Sequence, residues 1–411
     1  MLLFIYRIFS FVSAIYQKGA DYLEVFIKNA RVLHGEDLNL LSDKNVWIKD
    51  GIIQSINSES HVPKNTQIID AKGKVLMPGL IDLHVHLMWD GSLNPVHTVQ
   101  EEGYEQMLIR AASYCSEYLQ NGITSVRDVG SVDDISLHVA KAVNRGLITG
   151  PDIISSGRTI TMTGGHDPFW AKFVDGKDEA LKGVREQIYH GAQVIKVSAT
   201  GGVYGRMEGE KVGNAELNLD ELEVICNEAH KFGLKVASHA IGRDGILNSI
   251  NAGIDTIEHG HYLDEELIEK MEQWKVAWIP TLFVYNQIAN QDSIPSYAKE
   301  KAIKIVEKHV EAFKNFFHRD ILIGAGSDAG SPLTPHPSII EELLLMEKYI
   351  DDKIHVLKTA TVNAGKILGK NIGQIKEGFT ADLIILDSNP LDNLNNLNDI
   401  YKVLKQGYEY K

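Results

Sequence analysis

The stretch from Met77 to His86, MPGLIDLHVH, decides the fold class of this chain. It is a short apolar run that ends in His-x-His, and seven comparable apolar runs follow it, with amphipathic stretches between them. The eight runs cover residues 79–86, 122–130, 152–160, 192–202, 234–240, 254–260, 276–282 and 321–330. Strands that alternate with helices predict parallel β/α units. Eight units over residues 79–371 predict a closed (β/α)8 TIM barrel.

Both ends of the chain show a different pattern, with short alternating runs and Gly-containing turns such as Asp50-Gly51 and Lys72-Gly73. This pattern is typical of small antiparallel β structure. It covers residues 21–78 and returns over residues 372–411. We therefore expect the two terminal segments to build one small β-sandwich domain beside the barrel.

Residues 1–20 form an apolar N-terminal extension that begins MLLFIYRIFSFVSAIY. The run is shorter than the roughly 20 apolar residues that a membrane helix needs. Arg7 also lies inside the apolar stretch, whereas a secretory signal carries its positive charge before it. We interpret the extension as non-targeting and the protein as cytoplasmic, with secretion or anchoring as the alternative.

The charge balance narrows the class of partner. The 411 residues include 41 Lys and Arg against 55 Asp and Glu, a formal net charge of −14. This balance argues against a nucleic-acid binder, because a polyanion is repelled on average. We therefore expect a small-molecule substrate and no stable membrane association. Homo-oligomerisation stays open. Cys115 and Cys226 show no metal-ligand spacing, so we interpret both as buried free thiols.

Six polar side chains occur near the C-terminal ends of five predicted strands, where barrel enzymes have their active sites. They are His84, His86, Lys196, His239, His259 and Asp328. Each alone has a structural reading: His-x-His as hydrogen-bonded structure, Lys196 as a snorkelling side chain, Asp328 as a helix cap. Together they predict a metal site, because imidazoles and carboxylates are ligands that zinc prefers.

Lys196 needs a separate argument, since an ammonium group has no lone pair to offer a metal. Its apolar neighbours Val194, Ile195 and Val197 predict burial, which disfavours the charged form and lowers the pKa. A neutral amine can react with carbon dioxide to give a carbamate, whose two oxygens can bridge two cations. We therefore expect Lys196 to be carboxylated.

These motifs resemble the amidohydrolase superfamily over essentially the whole chain. The matching stretches are MPGLIDLHVH, VIKVSATGG, SHA, IEHG and GSDAG. TITMTGGH at residues 159–166 and GQIKEGFTADLI at residues 373–384 are similar to its metal-dependent Xaa-Pro and Xaa-Arg dipeptidases, a group related to imidazolonepropionase. The resemblance implies a buried metal on His84, His86 and Asp328 and a second on His239 and His259. Carboxylated Lys196 and a hydroxide would bridge the two ions, most simply Zn²⁺.

The resemblance also implies the chemistry. The bridging hydroxide would attack an amide carbonyl, and Asp328 would act as general base and then general acid. We therefore expect hydrolysis of a C–N bond in a dipeptide or N-acyl amino acid. The alternatives are a mononuclear cyclic-amide hydrolase or deaminase of the imidazolonepropionase type, and a metal-free barrel kept for binding. Metal analysis near one equivalent without a carbamate would favour the first alternative.

Five further residues are candidates for substrate contacts: His166, Arg127, Tyr204, Arg206 and Tyr285. The family uses the His that corresponds to His166 for substrate binding, although a role in the Gly turn is the alternative. The arginines could pair with a substrate carboxylate, or Arg127 could form a buried salt bridge with Asp128 or another carboxylate. Trp170 and His336 are further candidates for the pocket wall. The chain departs from the dipeptidase group after His239 and after Asp328, which leaves the substrate open.

Overall fold

The computed structural model describes residues 24–58, 62, 66–204 and 210–411. The extension predicted over residues 1–20 lies outside the described residues. Within the described part the strands are β1 (Glu24–His34), β2 (Asn39–Lys49), β3 (Ile52–Asn57), β4 (Gln67–Asp70), β5 (Val75–Pro78), β6 (Leu80–Val85), β7 (Ile123–Asp128), β8 (Asp152–Ser155), β9 (Ile160–Thr161), β10 (Lys172–Phe173), β11 (Ile195–Ser198), β12 (Val236–Ala240), β13 (Thr256–His259), β14 (Ala277–Ile279), β15 (Leu383–Leu386), β16 (Ile400–Lys405) and β17 (Tyr408–Glu409).

Helices follow most of the central strands. In chain order they are α1 (Pro95–Glu101), α2 (Tyr104–Gln120), α3 (Ile135–Asn144), α4 (Lys177–His190), α5 (Leu219–Lys231), α6 (Arg243–Ala252), α7 (Glu265–Trp274), α8 (Leu282–Asn290), α9 (Ser296–Phe316), α10 (Ile339–Ile350), α11 (Lys353–Thr359) and α12 (Val362–Leu368), and a 3-10 helix covers Leu394–Asn398. Among the described residues, no helix combines the length and the apolarity that crossing a bilayer requires.

The central strands form two parallel sheets, as the strand–helix alternation predicts. One sheet has the order β6-β7-β8, and the other has the order β10-β9-β11-β12-β13-β14. A backbone hydrogen bond of 2.8 Å from Gln193 N to Ser155 O joins the residues before β11 to the end of β8, and so links the two sheets. The fold is therefore mixed α/β with parallel sheets.

The eighth predicted run, residues 321–330, is not a continuous strand. It forms isolated parallel bridges on both sides, Ile323 with Trp278 and Ala329 with Val85. Its glycines pack closely against β6: a Cβ at Gly326 would lie 2.6 Å from the Cβ of His84. Only glycine allows the run to approach β6 so closely. The run thus delivers Asp328 directly beside the end of β6.

The two ends of the chain meet in one eight-stranded mixed sheet. Its order is β17-β16-β15-β5-β1-β2-β3, with β4 paired to β1. A purely apolar cluster that includes Ile27, Leu76 and Ile385 fills its core. Lys405 joins this sheet to the central strands, with its ammonium 2.7 Å from Asp382 and 2.8 Å from Asp152 on β8.

Candidate metal centre

His84 and His86 end the first parallel strand and are fixed through one ring nitrogen each. His84 Nδ1 lies 2.8 Å from Glu258 Oε2, and His86 Nδ1 lies 3.0 Å from the carbonyl oxygen of Gly130. Both acceptors lack a proton to donate, so each Nδ1 carries the hydrogen and each Nε2 keeps its lone pair. The two Nε2 atoms face Asp328 Oδ1 at 3.8 and 3.5 Å. This is the tautomer and orientation that a metal-ligating His requires.

His239 on β12 and His259 on β13 extend the cluster. Their ring centroids are 4.6 Å apart, and the ring of His259 lies 5.0 Å from that of His84. His259 Nδ1 is held 2.7 Å from Thr281 Oγ1. His239 Nε2 is buried, and it has no hydrogen-bond partner within the part of the chain that the structure describes. A buried nitrogen with a free lone pair is costly unless a ligand such as a metal satisfies it.

Burial sets the protonation of these imidazoles. It lowers the pKa of His84 to about 4 and that of His86 to about 3, and it pushes the pKa of His239 and His259 well below the ordinary value. All four rings are therefore neutral at pH 7. Neutral imidazole is the form that binds a metal, so these four rings can bind one without first losing a proton.

Lys196 projects from the middle of β11 and is 1% exposed. Burial lowers the pKa of its amine, against the raising influence of Glu258, Asp167 and Asp328. The neutral amine, which burial favours, is the nucleophilic form of a lysine. The structure places it in the same cavity as the four imidazoles and Asp328, as the six-residue prediction requires.

The donor atoms fit a metal ion. Ligand atoms of His84, His259 and Asp328 all lie within 4.8 Å of one another, and all three residues are buried. The resemblance assigns His84 and Asp328 to one ion and His259 to the other. The three residues together therefore do not distinguish one bound ion from two. Imidazole and carboxylate donors of this kind suit Zn²⁺.

Glu258 is a central residue that the sequence argument missed. Its carboxylate contacts His84 and also receives Arg127 Nη2 at 2.7 and 2.8 Å. Burial raises the pKa of Glu258, but Arg127 and His84 outweigh burial and hold it at about 2. Strand alternation would point Glu258 away from the site if His259 points into it. His259 has φ +71°, which breaks the alternation and lets both neighbours serve the site.

Arg127 is placed behind the histidines rather than in the cavity. Its guanidinium also donates to the carbonyl of Leu83 at 2.6 Å and to Thr256 Oγ1 at 3.1 Å. Of the two roles considered from the sequence, the structure shows the buried ion pair, with Glu258 rather than Asp128. Arg206 lies outside the described residues.

The cavity contains about 430 Å³ of empty space, with its open mouth included. Besides the six predicted residues, its lining consists of Trp89, His166, Asp167, Val203, Tyr204, Val284, Tyr285, Ile288, Ser331 and Pro332. His166, Tyr204 and Tyr285 are thus brought to the cavity. Trp170 lies one layer behind it, with its ring centroid 4.3 Å from that of Trp89, and His336 Nε2 lies 3.1 Å from the carbonyl oxygen of Trp89.

The comparisons with known proteins agree with this geometry. The Amidohydrolase family profile matches residues 75–409. An ochratoxinase from Aspergillus niger is 31% identical over 92% of this chain and 84% of its own length. The crystal structure of the A. niger ochratoxinase superposes with a TM-score of 0.85, at 30% identity over 95% of this chain and 96% of the other.

Two solved dipeptidases are similar as well. A prolidase complexed with N-methylphosphonate-L-proline gives a TM-score of 0.86 at 29% identity, over 94% of this chain and 99% of the other. A Xaa-Pro dipeptidase with methionine in its active site gives a TM-score of 0.85 at 26% identity, over 94% and 100%. The resemblance in the motifs is confirmed. The chain belongs to the amidohydrolase family and is a hydrolase that acts on C–N bonds.

Proposed function

We propose that this protein is a metal-dependent hydrolase that cleaves the amide bond of a dipeptide or an N-acyl amino acid. One observation carries the proposal: six side chains from five separate stretches converge on a single cavity, and its four ligand imidazoles are neutral. Similarity to a prolidase and to a Xaa-Pro dipeptidase supports a peptide-like substrate.

The residues that would hold two divalent ions are His84, His86, Lys196 as a carbamate, His239, His259 and Asp328. The ions would supply Lewis acidity and lower the pKa of water in the cavity. Carbamate formation on Lys196 joins the amine nitrogen to the carbon of carbon dioxide and releases one proton. Burial, which lowers the pKa of the amine, favours this step because only the neutral amine attacks.

Asp328 is the residue that we assign to proton transfer. Ser331 Oγ donates to its Oδ1 at 2.7 Å, and its backbone has φ +59°, a conformation that few residues other than glycine adopt. The carboxylate is therefore held in one position at the end of the eighth run. From there it would take a proton from the attacking water and deliver it to the leaving amine.

The lining of the cavity suits a small-molecule substrate, because apolar side chains surround a few polar groups. Trp89, Val284 and Ile288 offer apolar surface, and the hydroxyl of Tyr285 offers a donor. The hydroxyl of Tyr204 donates to Asn94 Oδ1 at 2.8 Å. We assign Tyr285 to contact with the substrate, with Tyr204 as part of the wall.

We also propose that the parallel strands close into the (β/α)8 barrel over residues 79–371. The bridges of residues 321–330 to both Trp278 and Val85 support closure, because they link the last strand to the first. The terminal sheet would then be the separate small β domain of residues 21–78 and 372–411.

Hydrolysis by the zinc-loaded full-length chain tests the function. We expect release of amino acids from a panel of Xaa-Pro and other dipeptides, N-acetyl amino acids or both. Asp328→Asn should lower kcat about 1,000-fold while the thermal unfolding temperature stays within a few degrees, because the acid–base group is lost and its shape is kept. Asp264→Asn, which keeps the cap of α7, is the matched control and should retain full activity. No turnover of either substrate class, or near-normal turnover by Asp328→Asn, would contradict the proposal.

A further inference from the structure

Asp167 is a carboxylate in the cavity that the proposed hydrolysis does not use. It is 7% exposed, follows the Gly164-Gly165-His166 turn and has φ +54°. The left-handed conformation costs most residues energy, and Asp is one of the few that adopt it. Residues held in such a conformation cluster at ligand sites, which makes Asp167 a candidate for a direct role.

A chain of charges fixes this carboxylate. His166 Nε2 lies 3.2 Å from Asp167 Oδ1, and His166 Nδ1 lies 2.6 Å from Glu210 Oε1. Glu210 in turn accepts from Gly202 N at 2.8 Å and lies 3.3 Å from Lys301 Nζ on α9. The network runs from a surface helix into the cavity and ends at Asp167.

The surroundings of His166 are set by these neighbours. Each of its two ring nitrogens faces a carboxylate, Nε2 that of Asp167 and Nδ1 that of Glu210. In this arrangement His166 has no ring nitrogen free for a substrate carboxylate. It acts as a positioning residue for Asp167.

We propose that Asp167 binds the free ammonium group of the substrate's amino-terminal residue, so that unblocked dipeptides are preferred over N-acyl amino acids. This inference rests on the proposed function and selects between its two substrate classes. Among the described residues, the contact made to the Asp167 carboxylate is that of His166 Nε2 with Oδ1, which leaves Oδ2 available to a donor from the substrate. An ammonium supplies a charge-assisted hydrogen bond. An N-acyl amino acid has no ammonium to place there, and an N-acetylated dipeptide would set its acetyl carbonyl oxygen against the carboxylate, so both are disfavoured.

Asp167 is largely buried and shares its cavity with the six predicted metal-site residues. A hydrogen bond between opposite charges is stronger in such a place than in water. A cation from the substrate therefore gains more here than at an exposed carboxylate.

The test uses a matched substrate pair, Ala-Pro and N-acetyl-Ala-Pro, which share the same scissile bond. With the wild-type enzyme we expect kcat/KM for Ala-Pro to exceed that for the acetylated form by at least about tenfold. Asp167→Asn keeps the side-chain shape and tolerates the same backbone conformation. It should raise KM for Ala-Pro about 10- to 100-fold, leave kcat within threefold and change KM for N-acetyl-Ala-Pro less than twofold.

Glu101→Gln, an exposed carboxylate on α1, is the control and should change neither KM. Bound zinc measured in Asp167→Asn should equal that of the wild type. Equal effects on both substrates, a loss confined to kcat, or lost zinc would overturn the inference in favour of a role in chemistry or metal binding. If Asp167→Asn does not fold, the ratio of the wild-type kcat/KM values for Ala-Pro and N-acetyl-Ala-Pro tests the inference, and a ratio near one would overturn it. Failure of the wild type to cleave either peptide would instead refute the proposed function.

Discussion

The cavity and the terminal sheet use the same unusual backbone conformation for different purposes. In the sheet, non-glycine residues with positive φ lie at a bulge or at tight turns: Asn29, Asp50, Lys72 and Gln406. At the cavity, they are residues that carry or support the chemistry: Asp167, His259, Thr281 and Asp328. Turns can be built from local sequence, whereas distant parts of the chain also hold residues at the cavity: Asp328 N donates to His84 O at 2.8 Å, and His259 Nδ1 lies 2.7 Å from Thr281 Oγ1.

The two regions also differ in what fills them. Apolar residues such as Val25, Ile27 and Leu383 fill the core of the sheet, and its buried charges, Lys405 and Asp382, lie where the sheet meets β8. Beneath the cavity, buried space is shared with charged groups such as Arg127 and Glu258. Apolar cores tolerate small changes, but a buried charge that loses its partner is costly. Stability and function should therefore be coupled at the cavity and separate in the sheet.

The largest stability effect is expected from Arg127→Met, which leaves the Glu258 carboxylate buried without its cation. We expect the free energy of unfolding to fall by about 3–5 kcal/mol and zinc affinity to weaken, because Glu258 also holds His84. Chemical denaturation of the metal-free protein measures the first effect and zinc titration the second. Arg243→Met, which removes an ion pair with Asp264 whose side chains are 40% and 43% exposed, should cost less than about 1 kcal/mol. Equal costs for the two variants would show that burial does not set the contribution of the Arg127–Glu258 pair to stability.

A smaller, pH-dependent effect is expected at Glu342, which supports the cavity from α10. Its carboxylate accepts from Leu282 N at 2.9 Å and Phe283 N at 2.7 Å, and so anchors the turn that carries Thr281. Burial raises its pKa to about 8. Since the folded pKa lies above the unfolded value of about 4.5, the stabilisation is present at low pH and is lost as pH rises through 8.

The matching experiment compares the wild type with Glu342→Gln between pH 5 and pH 8.5. The free energy of unfolding of the wild type, relative to the variant, should fall by about 2–4 kcal/mol over this range. Urea denaturation at each pH measures it. A difference that stays constant, or that grows with pH, would show that Glu342 is not protonated in the folded protein at low pH.

The smallest effect is expected from Ile27→Val in the core of the terminal sheet. Loss of one buried methyl group should cost about 0.5–1.5 kcal/mol and leave kcat and zinc content unchanged. Ile279 is the last residue of β14, and its side chain borders Gly326. The same change there should cost a similar amount but also lower kcat severalfold. A lowered kcat for Ile27→Val would show that the sheet and the cavity are coupled after all.

Much of the site was predictable because period-two alternation and strand ends are local properties. His84 and His86 share a face by spacing alone, and five strand ends meet at one edge of parallel sheets. The eighth run was predicted as a strand, and the sequence did not indicate that it forms isolated bridges, because the close packing of Gly324 and Gly326 against Leu83 and His84 arises only in the folded chain. Glu258 was missed because the positive φ of His259 cancels the alternation rule at that residue.

The amino-acid sequence by itself determined the family, the order of strands and helices, and the six residues that meet in the cavity. These depend on residue types and periodicities that each segment carries alone. Tertiary structure decided the partners: Glu258 with Arg127 and His84, Thr281 with His259, and Asp167 with His166. Those contacts join residues whose pairing, apart from the adjacent Asp167 and His166, depends on strand packing rather than on spacing. Burial, which also arises only on packing, then sets the charge of each group.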